Sequence, residues 1–230
     1  MKKAKPIIAT ALKGLFISSE PWDNAHLGWY VDRERELKER KLDTSVVREW
    51  RRELKEKPES EKKTYFKYVD RIMGLLYPAL SDEERTGKAR ELFFESTVKY
   101  IKQHPEVVNR NVKDYFRTLK RKYRIALITT NTQKAVNNIL RISGLEGLFD
   151  IVEVSLPKEK DDKIAVFDRF ISKYDKPMLY IGSGRADSYD YCNQYNIPAI
   201  FANLEGLENI PGVEVVHSLK QIKERIFNIN

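Results

Sequence analysis

The spacing of apolar residues along the chain changes period twice. Residues 7–11 form a short apolar run with the length of a buried central strand. From residue 22 to 101 the spacing is helical throughout. Leu27, Tyr30, Val31 and Leu37 share one helical face, and Val46, Val47, Trp50 and Leu54 share a second. Tyr65, Val69, Ile72, Met73 and Leu76 make a third, stopped near Pro78. The fourth opens on Ser81-Asp82-Glu83-Glu84, a capping-box pattern, and runs through Ala89, Leu92, Phe93, Ser96 and Ile101. Four helices with short connections predict a small bundle. Past Pro105 the pattern alternates. A helical face at Val112, Tyr115, Phe116 and Leu119 is followed by strands at 125–128, 149–154, 178–181 and 198–201. Helices at 135–142, 164–174, 187–195 and 219–227 separate and close them. Such alternation predicts a Rossmann-like parallel α/β sheet, with its ligand site at the carboxyl ends of the strands. The expected division is a discontinuous core of residues 1–18 and 106–230, interrupted by a helical cap of residues 19–105.

Composition narrows the function classes. The 230 residues are 41% hydrophobic and 33% charged, the balance of a folded globular chain. The net charge of +8 is spread through sign-alternating helices such as 32–41. No basic run interleaved with aromatics stands out, so nucleic acid is not an expected partner. The single cysteine, Cys192, excludes an internal disulfide and a cysteine zinc cage. His26, His104 and His217 stand far apart, against a histidine-built metal centre. Residues 1–17 have a basic start and an apolar stretch, but Lys13 interrupts it and no small-residue cleavage pattern follows. They are read as the first strand and its loop. No apolar run spans a membrane, and the expected location is the cytoplasm.

The strand ends bear a recognisable set. Residues 8–21 read Ile-Ala-Thr-Ala-Leu-Lys-Gly-Leu-Phe-Ile-Ser-Ser-Glu-Pro, residues 125–131 read Ile-Ala-Leu-Ile-Thr-Thr-Asn, and residues 178–187 read Met-Leu-Tyr-Ile-Gly-Ser-Gly-Arg-Ala-Asp. In order and setting these resemble the first, second and fourth motifs of the haloacid dehalogenase superfamily. The first is an apolar strand followed by Asp-x-Asp-Gly-Thr-Leu/Val, often with a later Ser-Glu-Pro. The helical insertion after the first strand matches the helical-cap subgroup that includes phosphoglycolate phosphatases and β-phosphoglucomutases. The resemblance implies a carboxylate nucleophile that forms an aspartyl-phosphate, and a second carboxylate two residues on as acid and base. It also implies Mg²⁺ held by the first and fourth motifs, and a hydroxyl and a lysine for the phosphate oxygens.

Against that pattern the first motif has lost its acids. Ala11 stands at the nucleophile position and Lys13 at the acid/base position, and no Asp or Glu occurs before residue 20. In the fourth motif Ser183 replaces the first acid, while Asp187 survives. The phosphate-binding hydroxyl falls on Thr129, with Thr130 next, their amides preceding a helix. The lysine is one of Lys158, Lys160 and Lys163, with Lys160 and Lys163 preferred. Lys13 either pairs with Asp187 in the metal's place or reaches out to solvent. Arg185 reads as a surface residue, Cys192 as packing, and Trp22, Trp29, Tyr30 and Trp50 as bundle core. No cofactor is expected, and Mg²⁺ is left with Asp187 alone. The leading expectation is a phosphatase fold without the phosphatase reaction. Such a protein acts by binding a small phosphorylated ligand or other anion, or a protein partner. The alternatives are an enzyme with relocated carboxylates, drawn from Asp23, Asp187 or Asp190, and partner or nucleic-acid binding through the basic cap.

Overall fold

A computed structural model describes residues 4–56, 65–156 and 159–229. The chain divides into two compact units. The first comprises Met1–Pro21, Ile101–Ser155 and Asp161–Asn230, and the second Trp22–Tyr100 with Leu156–Lys160.

The first unit is built on a six-stranded parallel sheet in the order β3-β2-β1-β4-β5-β6. The strands are β1 (Ile7–Thr10), β2 (Arg124–Thr132), β3 (Ile151–Ser155), β4 (Leu179–Gly182), β5 (Ala199–Ala202) and β6 (Glu214–Val216). β1 and β4 are buried at every residue, the mark of a strand covered on both faces. β6 went unpredicted because Glu-Val-Val is too short for a period and only Val216 is buried. The covering helices are α5 (Arg110–Leu119), α6 (Gln133–Ile142), α7 (Lys163–Lys173), α8 (Ala186–Gln194) and α9 (Leu219–Asn228). Phe167, Phe170, Tyr180, Tyr191 and Phe201 fill the layer under α7 and α8, and the Phe167 ring stacks on Tyr191 at 4.8 Å. Cys192 belongs to this layer, and burial pushes its thiol up to about 12. The sheet order turns back on itself between β1 and β4. That crevice is where parallel α/β sheets place their sites.

The second unit is helical: α1 (Glu20–Glu39), α2 (Ser45–Glu56), α3 (Tyr65–Leu76) and α4 (Asp82–Gln103), two of which run on across its boundary. Its core is aromatic at α1 and α2. Tyr30 stacks on Trp50 at 3.7 Å and 8°, and Trp29 meets Tyr30 edge-on at 5.1 Å. The expected capping box starts α4. Ser81 Oγ accepts from the Glu84 amide at 3.3 Å, and Glu84 Oε2 accepts from the Ser81 amide at 2.8 Å. The expected face of α1 needs correction. Leu27 and Val31 are 50% and 46% exposed, because the inward stripe runs through Trp22, Ala25, Trp29, Tyr30 and Leu37. The side chain of Tyr65, assigned to the α3 face, lies outside the described residues. Among the described residues no helix is long and apolar enough to cross a membrane.

Candidate functional site

Three segments meet at the carboxyl ends of β1 and β4: the loop after β1, the loop after β4, and the start of α7. The first loop folds back on itself. The Gly14 amide donates to Ile17 O at 2.6 Å, and Leu12 O accepts from Phe16 and Ile17. Leu12, Leu15, Phe16 and Ile17 are all buried, and Phe16 packs edge-on against Phe116 and Phe149 at 5.0 and 5.3 Å. The turn needs glycine twice over. Gly14 has φ +76°, and a Cβ on it would stand 2.7 Å from Ser183 Cβ. The motif glycine and the motif serine therefore touch, and the loops after β1 and β4 pack directly together.

The acids that the resemblance implies at this place are absent from the sequence there. Ala11 follows β1 directly, its amide donating to Ile181 O at 2.9 Å, and it offers only a methyl group. Lys13, half-buried, lies in a short bridge with Ile17. Asp187, in the first turn of α8, is half-buried with its pKa lowered, and Arg185 donates to both of its oxygens. Arg185 Nε donates to Oδ1 at 3.0 Å and Nη2 to Oδ2 at 2.5 Å. The same guanidinium reaches both oxygens of Asp161 through Nη1 at 2.9 Å. Arg185 is thus not a plain surface residue: it clamps two carboxylates bidentately. Burial alone would raise Asp187, but the Arg185 bonds and charge and the Lys163 charge outweigh it and hold the carboxyl below its ordinary range. Burial likewise pulls Arg185 down, and Asp187 and Asp161 more than reverse this.

The two preferred lysines separate sharply. Lys163, the first residue of α7, is 4% exposed, and its ammonium donates to Ile128 O in β2. It lies over the Phe167 and Tyr180 rings at 5.4 and 5.8 Å. Burial, followed by the Arg185 charge, depresses its pKa to about 7 against the ordinary 10.5. Lys160 belongs to the helical unit, where it is largely exposed and pairs with Asp70 at 2.9 Å. Its segment is anchored there by the Arg90 guanidinium, which donates to Leu156 O and Glu159 O. Lys158 lies outside the described residues.

The threonines also differ from expectation. β2 continues to Thr132, with a register shift after Thr129, and α6 follows at once from Gln133, two residues earlier than the spacing predicts. Thr132 caps α6 by accepting from the Ala135 amide at 3.4 Å. Thr129 is buried, and its hydroxyl accepts from the Asn131 amide at 3.2 Å. Thr130 is half-buried beside it. Neither stands at a helix N-terminus. Asp190 lies exposed on α8, and Asp23 belongs to the helical unit. Two carboxylates the sequence reading did not select reach the site instead. Asp161 immediately precedes Asp162, the α7 N-cap, whose side chain accepts from the Ala165 amide at 3.0 Å. Asp-Asp-Lys before an apolar helix was its only sequence signal. Glu205, in the loop after β5, accepts from the Ser19 amide at 2.7 Å and lies within 3.6 Å of a Cβ on Gly14.

This donor set does not fit Mg²⁺. That ion wants convergent oxygens at short range. Here Ala11 and Lys13 supply none, and both acids beside Ser183 are closed around a guanidinium. Among the described residues no group of three or more His, Cys, Asp or Glu side chains could hold a metal.

No family model matches the sequence, and no curated protein matches it. Solved structures do. A 2-haloacid dehalogenase from Pseudomonas syringae is 19% identical, with a TM-score of 0.59, over 99% of this chain and 100% of that one. A haloacid dehalogenase-like family hydrolase from Streptococcus pneumoniae is 15% identical, with a TM-score of 0.57, over 96% and 98%. A β-phosphoglucomutase from Clostridium difficile is 19% identical, with a TM-score of 0.55, over 99% and 97%.

Proposed function

We propose that this chain, which has the fold of the capped haloacid dehalogenase-like hydrolases, does not transfer phosphoryl groups and works by binding. One observation carries the reading. Where that reaction needs two carboxylates and a metal, the chain has Ala11, Lys13 and an Asp161–Arg185–Asp187 clamp. Alanine has no nucleophilic atom. The clamp ties the surviving motif acid, Asp187, to the Arg185 guanidinium. Asp161 cannot serve as a relocated nucleophile while both of its oxygens are bound to Arg185. The test is turnover of p-nitrophenyl phosphate and small sugar phosphates by homogeneous protein, with and without Mg²⁺. No turnover above the buffer rate is expected. Mg²⁺-dependent turnover that disappears with Asp187→Asn would overturn the proposal.

A second reading concerns the ligand. Lys13 stands half-buried just after β1, with Thr130 half-buried in the last part of β2, the strand paired with β1. A phosphate-sized anion there would be held by the ammonium and the hydroxyl. Thermal stabilisation by inorganic phosphate but not by chloride at equal ionic strength, lost in Lys13→Ala, supports it. Equal response of both proteins removes it.

A further inference from the structure

One helix of the helical unit turns two large apolar side chains to solvent. Leu27 and Val31 of α1 are half exposed and stand one turn apart. A lone exposed leucine is ordinary, but two side by side on one ridge make a patch. The ridge continues in both directions with exposed charges, Asp23 one turn before Leu27 and Arg35 one turn after Val31. Asp23, Leu27, Val31 and Arg35 therefore follow one another at four-residue spacing, acidic at one end, basic at the other and apolar between. The helix dipole favours that order of charges, but it gives no reason for the apolar pair. Gly28 lies beside the ridge, where a Cβ would meet nothing within 4 Å. Glycine inside a helix costs stability, and here it leaves a gap next to Leu27 and Val31.

The pattern is its own complement when reversed. Its positions are symmetric about residue 29, so a second α1 laid antiparallel brings Asp23 to Arg35, Leu27 to Val31, Val31 to Leu27 and Arg35 to Asp23. Each copy then uses the same patch, which is the arrangement of a twofold dimer. Residues four apart form the ridges that interlock in the commonest helix–helix packing, crossing at about −50°. Gly28 lets the opposing ridge approach the backbone. A parallel pair would instead set Asp23 against Asp23 and Arg35 against Arg35. Arg35 can make the new contact without giving up its own, because it pairs with Asp32 at 3.5 Å while 67% of its side chain stays exposed. A partner of another sequence would call for no such symmetry in this helix.

We propose that this face of α1 is the contact surface of a homodimer, in which two copies of the chain pair antiparallel through Leu27 and Val31 and are held in register by Asp23 and Arg35. The contact does not depend on what the strand-end cluster binds. One helix from each copy buries less than the roughly 1,600 Å² of a standard interface, so the dimer is weak, with a Kd of about 100 µM. The test is sedimentation equilibrium of the full chain from about 10 to about 500 µM at constant ionic strength. The wild type should pass from monomer to dimer over that range. Arg35→Asp and Asp23→Arg each set like charges together at both ends of the contact, and each should weaken dimerisation at least about tenfold. Mixed in equal amounts, those two variants present opposite charges at both ends again. The mixture should dimerise to within about threefold of the wild type, and so should the double variant Asp23→Arg with Arg35→Asp. Leu27→Ser removes the apolar centre without touching the charges and should weaken the dimer about tenfold, which keeps the test sound if a charge reversal folds poorly. A wild type still monomeric at about 500 µM would overturn the proposal. A dimer that Arg35→Asp, Asp23→Arg or Leu27→Ser leaves intact would overturn it too, because the contact then lies elsewhere. Failure of the mixture to dimerise would rule out the antiparallel pairing.

Discussion

Replacing Lys163 with methionine should change how stability depends on pH. The ammonium is 4% exposed, donates to Ile128 O and lies near the Arg185 guanidinium, which together with burial holds its pKa near 7 against 10.5 in an unfolded chain. The unfolded state therefore binds the proton more readily than the native state. Native stability must rise with pH between about 7 and 10.5, and the penalty is complete below 7 and absent above 10.5. At about 1.4 kcal/mol per pH unit the whole penalty is about 5 kcal/mol, of which about 4 kcal/mol is relieved between pH 6 and pH 10. Among the groups facing Lys163, Asp187 is lowered and Arg185 is raised, so both titrate outside this window. Cys192 and Tyr180 are raised in the native protein, so the unfolded chain gives up those protons first as pH climbs past about 9 and stability falls on their account; this slope is common to wild type and variant and is removed by taking the difference between them. In Lys163→Met the pH term disappears. What remains is the unmade bond to Ile128 O, about 1–3 kcal/mol. The assay is urea unfolding of both proteins at pH 6, 8 and 10. All three tryptophans belong to the helical unit, so far-UV circular dichroism corrected for the tryptophan-emission transition reads the sheet unit. The wild type should gain about 4 kcal/mol on the variant across this range. A difference that stays flat to within about 1 kcal/mol would show that the amine is hydrated and the burial argument wrong.

Three further outcomes follow from named contacts. Gly182→Ala drives a methyl group to 2.6 Å from the Tyr189 hydroxyl oxygen and 2.7 Å from the Tyr180 ring, so it should cost about 1–3 kcal/mol in thermal or urea unfolding. Arg185→Met leaves Asp161 and Asp187 without their guanidinium and should cost about 1–3 kcal/mol at neutral pH. Because Asp187 is lowered in the native protein, its share of that difference is present above its ordinary 3.8 and disappears as pH falls below the native value; stability curves from pH 7 to pH 2 check the sign. Trp50→Ala removes the ring stacked on Tyr30 at 3.7 Å and should cost about 3–5 kcal/mol, read from the emission of the two remaining tryptophans.

The elements were legible because burial writes its period into the chain. Parallel strands covered on both faces leave unbroken apolar runs, as at 7–10 and 125–128, and the capping residues around Ser81 advertise α4. Legibility failed where a residue's setting depends on its angle round a helix or on a partner far along the chain. Leu27 and Val31 sit among apolar neighbours in sequence, yet α1 turns them outward, because its tryptophans and Tyr30 occupy the inner stripe. Lys160 and Lys163 lie three residues apart in one charged run, and only the fold sends the first to Asp70 and the second beneath β2.

The strand-end cluster shows the same limit in its chemistry. Missing acids can be read directly, since no alignment of residues 8–14 brings a carboxylate to the end of β1. What compensates for them cannot, because compensation depends on geometry. Asp187 could have been met by Lys13, which is 174 residues away in the chain. It is met instead by Arg185, two residues before it, which turns back at the start of α8. That turn is available because Gly184 and Ser183 carry the loop close over Gly14, and because Asp161, delivered by the residue pair that caps α7, takes the other edge of the guanidinium. One planar guanidinium engages both carboxylates, and the negative charge left over is offset by the neighbouring Lys163 when it is protonated. Restoring aspartate at Ala11 alone would add a third carboxylate to a cluster whose cations are already engaged, so Ala11→Asp should destabilise the chain without restoring turnover. Turnover in that single variant would show that the clamp opens to a metal.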